Sequence, residues 1–267
     1  MRLILSTLVF LLIGAPAQGK LPEPETLLSK ILESYQHVYQ FNLKIKVRVY
    51  DPEAFHLLEE SIEGNVPYIV KDKTYTQNLI FMRDEYQLIE TKDLSDNLLH
   101  LYFKEGERVE SVIIDEKRSF HPEDVVFPHS IFFTKFTSLL KSGLLNYGIP
   151  PLEVKLVKHD FRYLYQLGTD EENVKVDQDN FRVLEANRII NIRGRDYGIK
   201  ISFQNWDQHK KRIPRLTQYF INSRLFKELR ITAINHRGNK TRARNFIDRY
   251  KRYLSLPTFS TQIDYAR

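Results

Sequence analysis

Leu27-Leu28-Ser29-Lys30-Ile31-Leu32-Glu33-Ser34-Tyr35-Gln36-His37-Val38-Tyr39-Gln40-Phe41-Asn42-Leu43-Lys44-Ile45-Lys46-Val47-Arg48-Val49 changes its hydrophobic period once, and that change decides the fold. In its first part Leu27, Leu28, Ile31, Leu32, Tyr35, Val38 and Tyr39 share one face of a helix, with Thr26 placed to cap the N-terminus. In its second part Leu43, Ile45, Val47 and Val49 alternate with Asn42, Lys44, Lys46 and Arg48, the period of a strand with one wet face. An apolar helix face needs an apolar partner, and the strand that follows it supplies one.

Strand periods continue outward from this stretch. Thr74 to Met82 and Glu85 to Thr91 flank Arg83-Asp84, and Leu98 to Phe103 and Arg108 to Ile114 flank Lys104-Glu105-Gly106-Glu107, so each pair predicts an antiparallel hairpin. Asp115 to Pro128 is irregular. Ser130 is placed to cap a second helix carrying Ile131, Phe132, Phe133, Phe136, Leu139 and Leu140 and ended by Ser142-Gly143. Strand character returns at Glu153 to Val157, Phe161 to Leu167, Phe181 to Leu184, Arg188 to Ile192, Ile199 to Phe203, Arg215 to Ile221 and Leu225 to Ile234, with Thr169 to Asn180 as an acidic, polar link. Strands and helices do not alternate regularly. The expectation is an α+β, mainly β fold: a large curved antiparallel sheet of about 10–11 strands, an incomplete barrel, with helices covering its concave face.

Met1 to Gly19 has the form of an export signal: Arg2, the apolar run Leu3 to Ile13, then the small-residue stretch Gly14-Ala15-Pro16-Ala17-Gln18-Gly19 with cleavage after Ala17 or Gly19. The run is shorter than the ~20 residues that span a bilayer. With no cysteine in the chain, neither disulfides nor a lipid-modified N-terminal cysteine is available, so the expected product is a soluble periplasmic protein held together by packing and hydrogen bonds. The expected division is 1–19 signal, 20–235 one domain, and 236–267 a basic C-terminal extension.

The charge is unevenly spread. Asp207 to Arg252 holds fourteen Lys and Arg against three acids, while the rest of the mature chain is net negative. Export argues against nucleic acid, which leaves an anionic membrane surface or an acidic protein as the partner, or simply a solvated tail. The candidate docking residues are Lys210, Lys211, Arg212, Arg242, Arg244, Arg249, Lys251 and Arg252.

No chemical motif stands out. His56-Leu57-Leu58-Glu59 lacks the second histidine of a helical zinc site, and Asp177-Gln178-Asp179-Asn180 lacks the glycine and glutamate of a calcium loop and fits an acidic turn. There is no G-x-S-x-G elbow, phosphate loop or cysteine nucleophile, so neither catalysis, a metal nor a cofactor is expected. What remains is apolar surface. Leu43, Ile45, Val47, Leu79, Phe81, Tyr86, Leu88, Leu99, Leu101 and Phe103, with Phe132, Phe133 and Phe136 from the second helix, are the candidates to line a cavity, or else to close up as a core.

The order of elements, and three stretches within it, resemble the periplasmic outer-membrane lipoprotein carriers, the LolA-type family. Leu32 to Ile45 is similar to that family's first helix entering its first strand. Gln77-Asn78-Leu79-Ile80-Phe81-Met82-Arg83-Asp84-Glu85-Tyr86-Gln87-Leu88 is similar to its G-x-L-x-x-x-R-P-x-x-F-x-W hairpin, with Gln77 and Asp84 in place of the glycine and the proline. Ile199 to Trp206, then Ile213-Pro214 and Leu229 to Asn235, resemble its later strands. The resemblance implies a hydrophobic cavity for acyl chains, no catalysis, and for Arg83 a part in cargo binding and release. It also implies an inner-membrane donor and an outer-membrane acceptor; a chain without cysteine is the mobile partner of such a system. The expected function is a periplasmic carrier of lipoprotein or other lipid acyl chains. The alternative is a lipid-sensing regulatory module of the same fold, docked on a membrane partner through its basic C-terminal region; a hydrolase using the same cleft is the third class.

Overall fold

The computed structural model describes residues 21–54, 74–83, 85–105, 108–113, 118–120, 131–206 and 213–235, with backbone alone for 103–105, 108–113 and 118–120. Met1 to Gly19, His56 to Glu59, Asp84, and all eight basic docking candidates lie outside the described residues, as does the extension 236–267.

Two helices accompany one sheet. Helix α1 (Pro24–Tyr35) begins at Glu23 with Pro24 in its first turn, three residues before the expected Thr26. Proline suits that position because its missing N–H is one the helix start leaves unpaired and its fixed φ is already helical. Strands β1 (Gln40–Val49), β2 (Thr74–Met82), β3 (Tyr86–Lys92), β4 (Leu98–Glu105), β5 (Arg108–Ile113) and β6 (Arg118–Phe120) form a first meander. Helix α2 (Thr137–Asn146) follows. Strands β7 (Val154–His159), β8 (Arg162–Gly168), β9 (Asn173–Asp177), β10 (Val183–Ile192), β11 (Arg195–Trp206), β12 (Pro214–Ile221) and β13 (Arg224–Asn235) form the second meander.

The strand order is β6-β5-β4-β3-β2-β1-β13-β12-β11-β10-β9-β8-β7, antiparallel throughout and not closed into a barrel. This is the expected class with more strands than expected. Phe181 to Leu184 and Arg188 to Ile192 join into the single strand β10, and two strands are added. One is β6, inside the stretch read as irregular. The other is β9, inside the polar link, where Val174 and Val176 alone point into the core between Asn173, Lys175 and Asp177. Asp177 then closes the turn to β10: its Oδ1 accepts from the backbone N–H of Asp179 (2.9 Å) and Asn180 (3.2 Å), and its Oδ2 accepts from Arg162 Nη1 at 3.0 Å.

The two meanders meet at β1, whose alternation is matched on both sides. Leu43 stands between Leu79 on β2 and Ile234 on β13, and Val47 between Tyr75 and Leu229. Register fixes every side chain's face, because a slip of one residue would turn the apolar set outward. Between the two meanders, Ile131 to Phe136 and then α2 lie on the helix-covered face. There Leu27, Leu28, Ile31, Leu32 and Tyr35 of α1 and Leu140 and Leu144 of α2 join β1, β2 and β9 to β13 in one core. A change such as Ile31→Ala would lose both transferred apolar area and packing there.

The second helix starts later than the sequence suggests. Ile131 to Phe133 form a short 3₁₀ turn and bend, Phe136 is the residue before the helix, and the helix runs through Gly143 to Asn146. Gly143 does not stop it because the position is helical and uncrowded, a Cβ there meeting only Ile131 Cβ at 3.8 Å. The turn Arg193-Gly194 and the turn Asn222-Ser223 both have positive φ at the two positions, the backbone that matches the twist of two-residue hairpins.

Candidate functional site

The covered face divides the cavity candidates by ladder register. Leu43, Ile45, Val47, Leu79 and Phe81 all point to the helices and are buried. On β3, however, Phe81 is paired with Gln87 and Leu79 with Ile89, so Gln87, Ile89 and Thr91 face the helices while Tyr86 and Leu88 face the other way. β4 follows the same phase: Tyr102 pairs with Ile89 and His100 with Thr91 on the covered face, whereas Leu101 lies opposite Glu90 and Phe103 opposite Leu88. Leu99 falls at a bulge and is half-buried. The expectation that Tyr86, Leu88 and Leu101 share a face with Leu79 is therefore corrected. Leu88 and Leu101 are buried on the opposite face and take no part in the main core. The residues under the helices there include the polar Gln87, Thr91 and His100 beside Ile89 and Tyr102, and single-strand alternation cannot reveal this because it does not give the phase between neighbouring strands.

The aromatic candidates separate too. Phe132 and Phe133 are fully buried, but Phe136 is 60% exposed at the surface before α2, because the turn at Ile131–Phe133 is not the start of a continuous helix; the expected cap, Ser130, lies outside the described residues. Phe133 stands edge-on to three rings, Phe41 (5.6 Å), Phe81 (5.5 Å) and Tyr35 (5.6 Å), while Phe41 and Phe81 stack at 4.8 Å. Phe132 lies 6.2 Å from Tyr35 and 6.5 Å from Phe203. These offset and edge-to-face arrangements add about 0.5–1.5 kcal/mol each to the area they bury. The segment Ile131–Phe136 thus closes the space between α1 and the β1–β2 end of the sheet with two rings.

Arg83 holds that plug. Its side chain is buried, 5% exposed, at the turn of the β2–β3 hairpin. Nε donates to the carbonyl of Phe133 (2.9 Å), Nη2 to that of Tyr35 (2.6 Å) and Nη1 to that of Gln36 (3.2 Å), and its backbone N–H donates to Tyr39 O at 2.9 Å. The Tyr35 and Gln36 carbonyls close α1, where the last turn leaves acceptors unpaired and the helix dipole is negative. One guanidinium therefore ties three separate pieces together: the hairpin, the end of α1 and the plug. Charged hydrogen bonds of this kind are roughly twice as strong as neutral ones.

The covered face is apolar along β1, β2 and β10 to β13 and polar toward β3 and β4. There Gln77 Nε2 donates to Thr91 Oγ1 at 3.3 Å, and burial alone pushes the His100 imidazole down from its usual range to about 4. His100 is thereby neutral at physiological pH. Along β9 and β10 the opposite face carries surface chemistry, such as Lys175 Nζ on Glu185 Oε1 at 2.6 Å. Burial pushes the Glu185 carboxyl up, but the bonds from Lys175 and Asn187 outweigh it and hold it below the usual range.

A cavity of about 290 Å³ lies at the end of the sheet where β9 stops, lined among others by His159, Arg162, Glu185, Gln204 and Trp206. Its lining is mostly polar, so it does not suit an alkyl chain. Among the described residues no group of three or more His, Cys, Asp or Glu is placed to hold a metal, and no helix is long and apolar enough to cross a membrane. The buried polar residue that composition and period have no means of marking is Gln87, whose place on the covered face follows from its register opposite Phe81.

No protein-family model and no curated protein matches the sequence. Solved structures do. A LolA superfamily protein, NE2245 from Nitrosomonas europaea, is 12% identical and superposes with a TM-score of 0.53 over 83% of this chain and 96% of that one. A putative outer membrane lipoprotein-sorting protein domain from Vibrio parahaemolyticus, also 12% identical, gives 0.54 over 85% and 99%. At this identity the likeness is one of fold. Open antiparallel sheet, helix-covered face and chain order together make this a protein of LolA-like fold.

Proposed function

We propose that the protein is a carrier for the acyl chains of a lipoprotein or other lipid, working in the periplasm between a membrane donor and a membrane acceptor. The observation that carries this is the Arg83 latch: a buried arginine holds an aromatic plug, Phe132 and Phe133, over an otherwise apolar sheet face. The plug is a poor structural element taken alone. It has almost no regular secondary structure, and it buries the Thr134 hydroxyl without a partner. A segment held by two rings and one charged hydrogen bond, without regular structure of its own, can leave as a unit, and the surface uncovered by Phe133 is Phe41, Phe81 and Tyr35. Acyl chains entering there gain about 0.8 kcal/mol per buried CH₂, so their methylenes offset both the lost Arg83–Phe133 bond and the packing of the two rings they displace.

The fold supports the reading, since it is shared with a protein described as an outer membrane lipoprotein-sorting domain. The leader Met1 to Gly19 supplies the route out of the cytoplasm, and the absence of cysteine suits a partner with no lipid anchor of its own. The basic segment from Lys210 to Arg252 is the proposed contact with an anionic membrane or a receptor, at ~1 kcal/mol per basic residue close to such a surface.

Native mass spectrometry of the protein purified from a membrane-rich extract tests this, together with titration of a fluorescent acyl probe. Bound lipid, or saturable probe binding competed by diacyl lipid, is the expected result. A lipid-free protein that also fails to bind the probe refutes the carrier.

A further inference from the structure

We infer that Gln87 is a head-group subsite: its side-chain amide donates to the ester or amide carbonyl of the bound acyl ligand, so the carrier selects acylated molecules over bare hydrocarbon chains. This rests on the carrier reading and names the ligand class for the same site.

Gln87 is 5% exposed, and its Nε2 is buried with no hydrogen-bond partner. Register places it on the covered face, in one row with Phe41 and Phe81 on the neighbouring strands. Phe81 in turn packs against Phe133 at 5.5 Å, so the orphan donor lies one strand from the ring that the latch holds in place. Its neighbours on the same face are satisfied differently. Thr91 accepts from Gln77 at 3.3 Å, and Ile89 is apolar. A buried donor left unpaired is uncommon and costs about as much as a lost hydrogen bond, so its presence calls for an acceptor that arrives later.

The ligand that enters beneath Phe133 must bring that acceptor without bringing a charge, since an ion buried beside Phe41, Phe81 and Phe133 would be costly. An alkyl chain has no acceptor. The carbonyl that joins an acyl chain to glycerol or to an amine has one at the chain's head, and two or three bonds further the ligand becomes polar and points away. Acyl chains would then lie along Leu79, Leu43 and the β13 side of the face, with the carbonyl at β3.

The test uses the full chain and a matched pair of probes: a short-chain diacyl phosphatidylglycerol and its dialkyl ether counterpart, each displacing a fluorescent alkyl probe. Wild-type protein is expected to bind the ester about fivefold more tightly than the ether, the size of one hydrogen bond. Gln87→Leu is expected to bind both alike, at the wild-type affinity for the ether, and to unfold at the same or a higher denaturant concentration, because the orphan donor is gone. Equal binding of ester and ether by the wild type, or an ester preference that survives in Gln87→Leu, overturns the subsite and leaves the carrier standing. Binding of neither lipid overturns the carrier reading, and the subsite with it.

Discussion

α1 and the Ile131–Phe136 segment lie on the same sheet face, yet they are held there by different means. α1 contributes Leu27, Leu28, Ile31, Leu32 and Tyr35 along one regular stripe, and its buried polar groups are paired: Ser34 Oγ donates to Phe181 O at 3.2 Å, and Tyr35 OH accepts from Val183 N–H at 3.2 Å. The plug contributes two rings, one arginine's bonds and an unpaired threonine hydroxyl. Distributed contacts over three turns make an element that belongs to the fold, whereas a few concentrated ones make an element that one event can release. The difference predicts that the two segments respond separately to substitution, pH and ligand.

The largest effect should come from the permanent side. Ile31→Ala is expected to lower stability by about 2–5 kcal/mol, read as a shift of the urea midpoint with an unchanged slope. If the loss falls below about 1 kcal/mol, α1 is no better anchored than the plug and the contrast fails.

Acid comes next. The unfolded chain takes up a proton on His100 near 6.5 and the folded chain only near 4, so stability is complete above pH 6.5 and declines as pH falls from there toward 4. The decline amounts to up to about 3 kcal/mol. Urea unfolding at pH 7.5 and 4.5 measures it, and His100→Gln should remove most of the difference between the two curves. An unchanged difference would place the acid sensitivity elsewhere.

On the removable side the expectation concerns ligand more than stability. Arg83→Leu breaks the three bonds to Phe133, Tyr35 and Gln36, so the open state costs less and an acyl probe should bind at about tenfold lower concentration. Acrylamide should also quench Trp206, the chain's sole tryptophan, more readily, since it lies 6.5 Å from Tyr35 beside the plug. Weaker probe binding in Arg83→Leu would mean that the arginine contacts the cargo instead of restraining the plug. The smallest effect belongs to the surface pair Lys141 and Glu25, 2.6 Å apart and exposed, which links the two helices: Lys141→Ala should cost about 0–1 kcal/mol by urea unfolding.

The same contrast explains what was legible in the amino-acid order. α1 and β1 were, because each buries one side only and the period of Leu28, Ile31, Leu32 and Tyr35, then of Leu43, Ile45 and Val47, records it. β9 was hidden since five residues with two valines between Asn173 and Asp177 carry too little period to outweigh their polar flanks. The plug was visible as aromatic composition, but its conformation depends on Arg83, fifty residues earlier, and so the segment looked like the first turn of a helix. On β3 and β4 apolar residues occur on both faces, and only pairing with β2 reveals that Gln87, Thr91 and His100 are the ones beneath the helices. Only resemblance singles out Arg83 in the sequence, as a candidate for cargo release; its bonds to three carbonyls are a property of the folded chain alone.

The most direct test of a releasable plug on a permanent frame is amide hydrogen exchange of the wild-type protein with and without a short-chain diacyl phosphatidylglycerol held below its micelle concentration. The account predicts faster exchange across Ile131 to Phe136 when lipid is bound, with Pro24 to Tyr35 and β1 protected as before. Lipid binding that leaves 131–136 as protected as in the free protein, or that loosens α1 to the same degree, would contradict it.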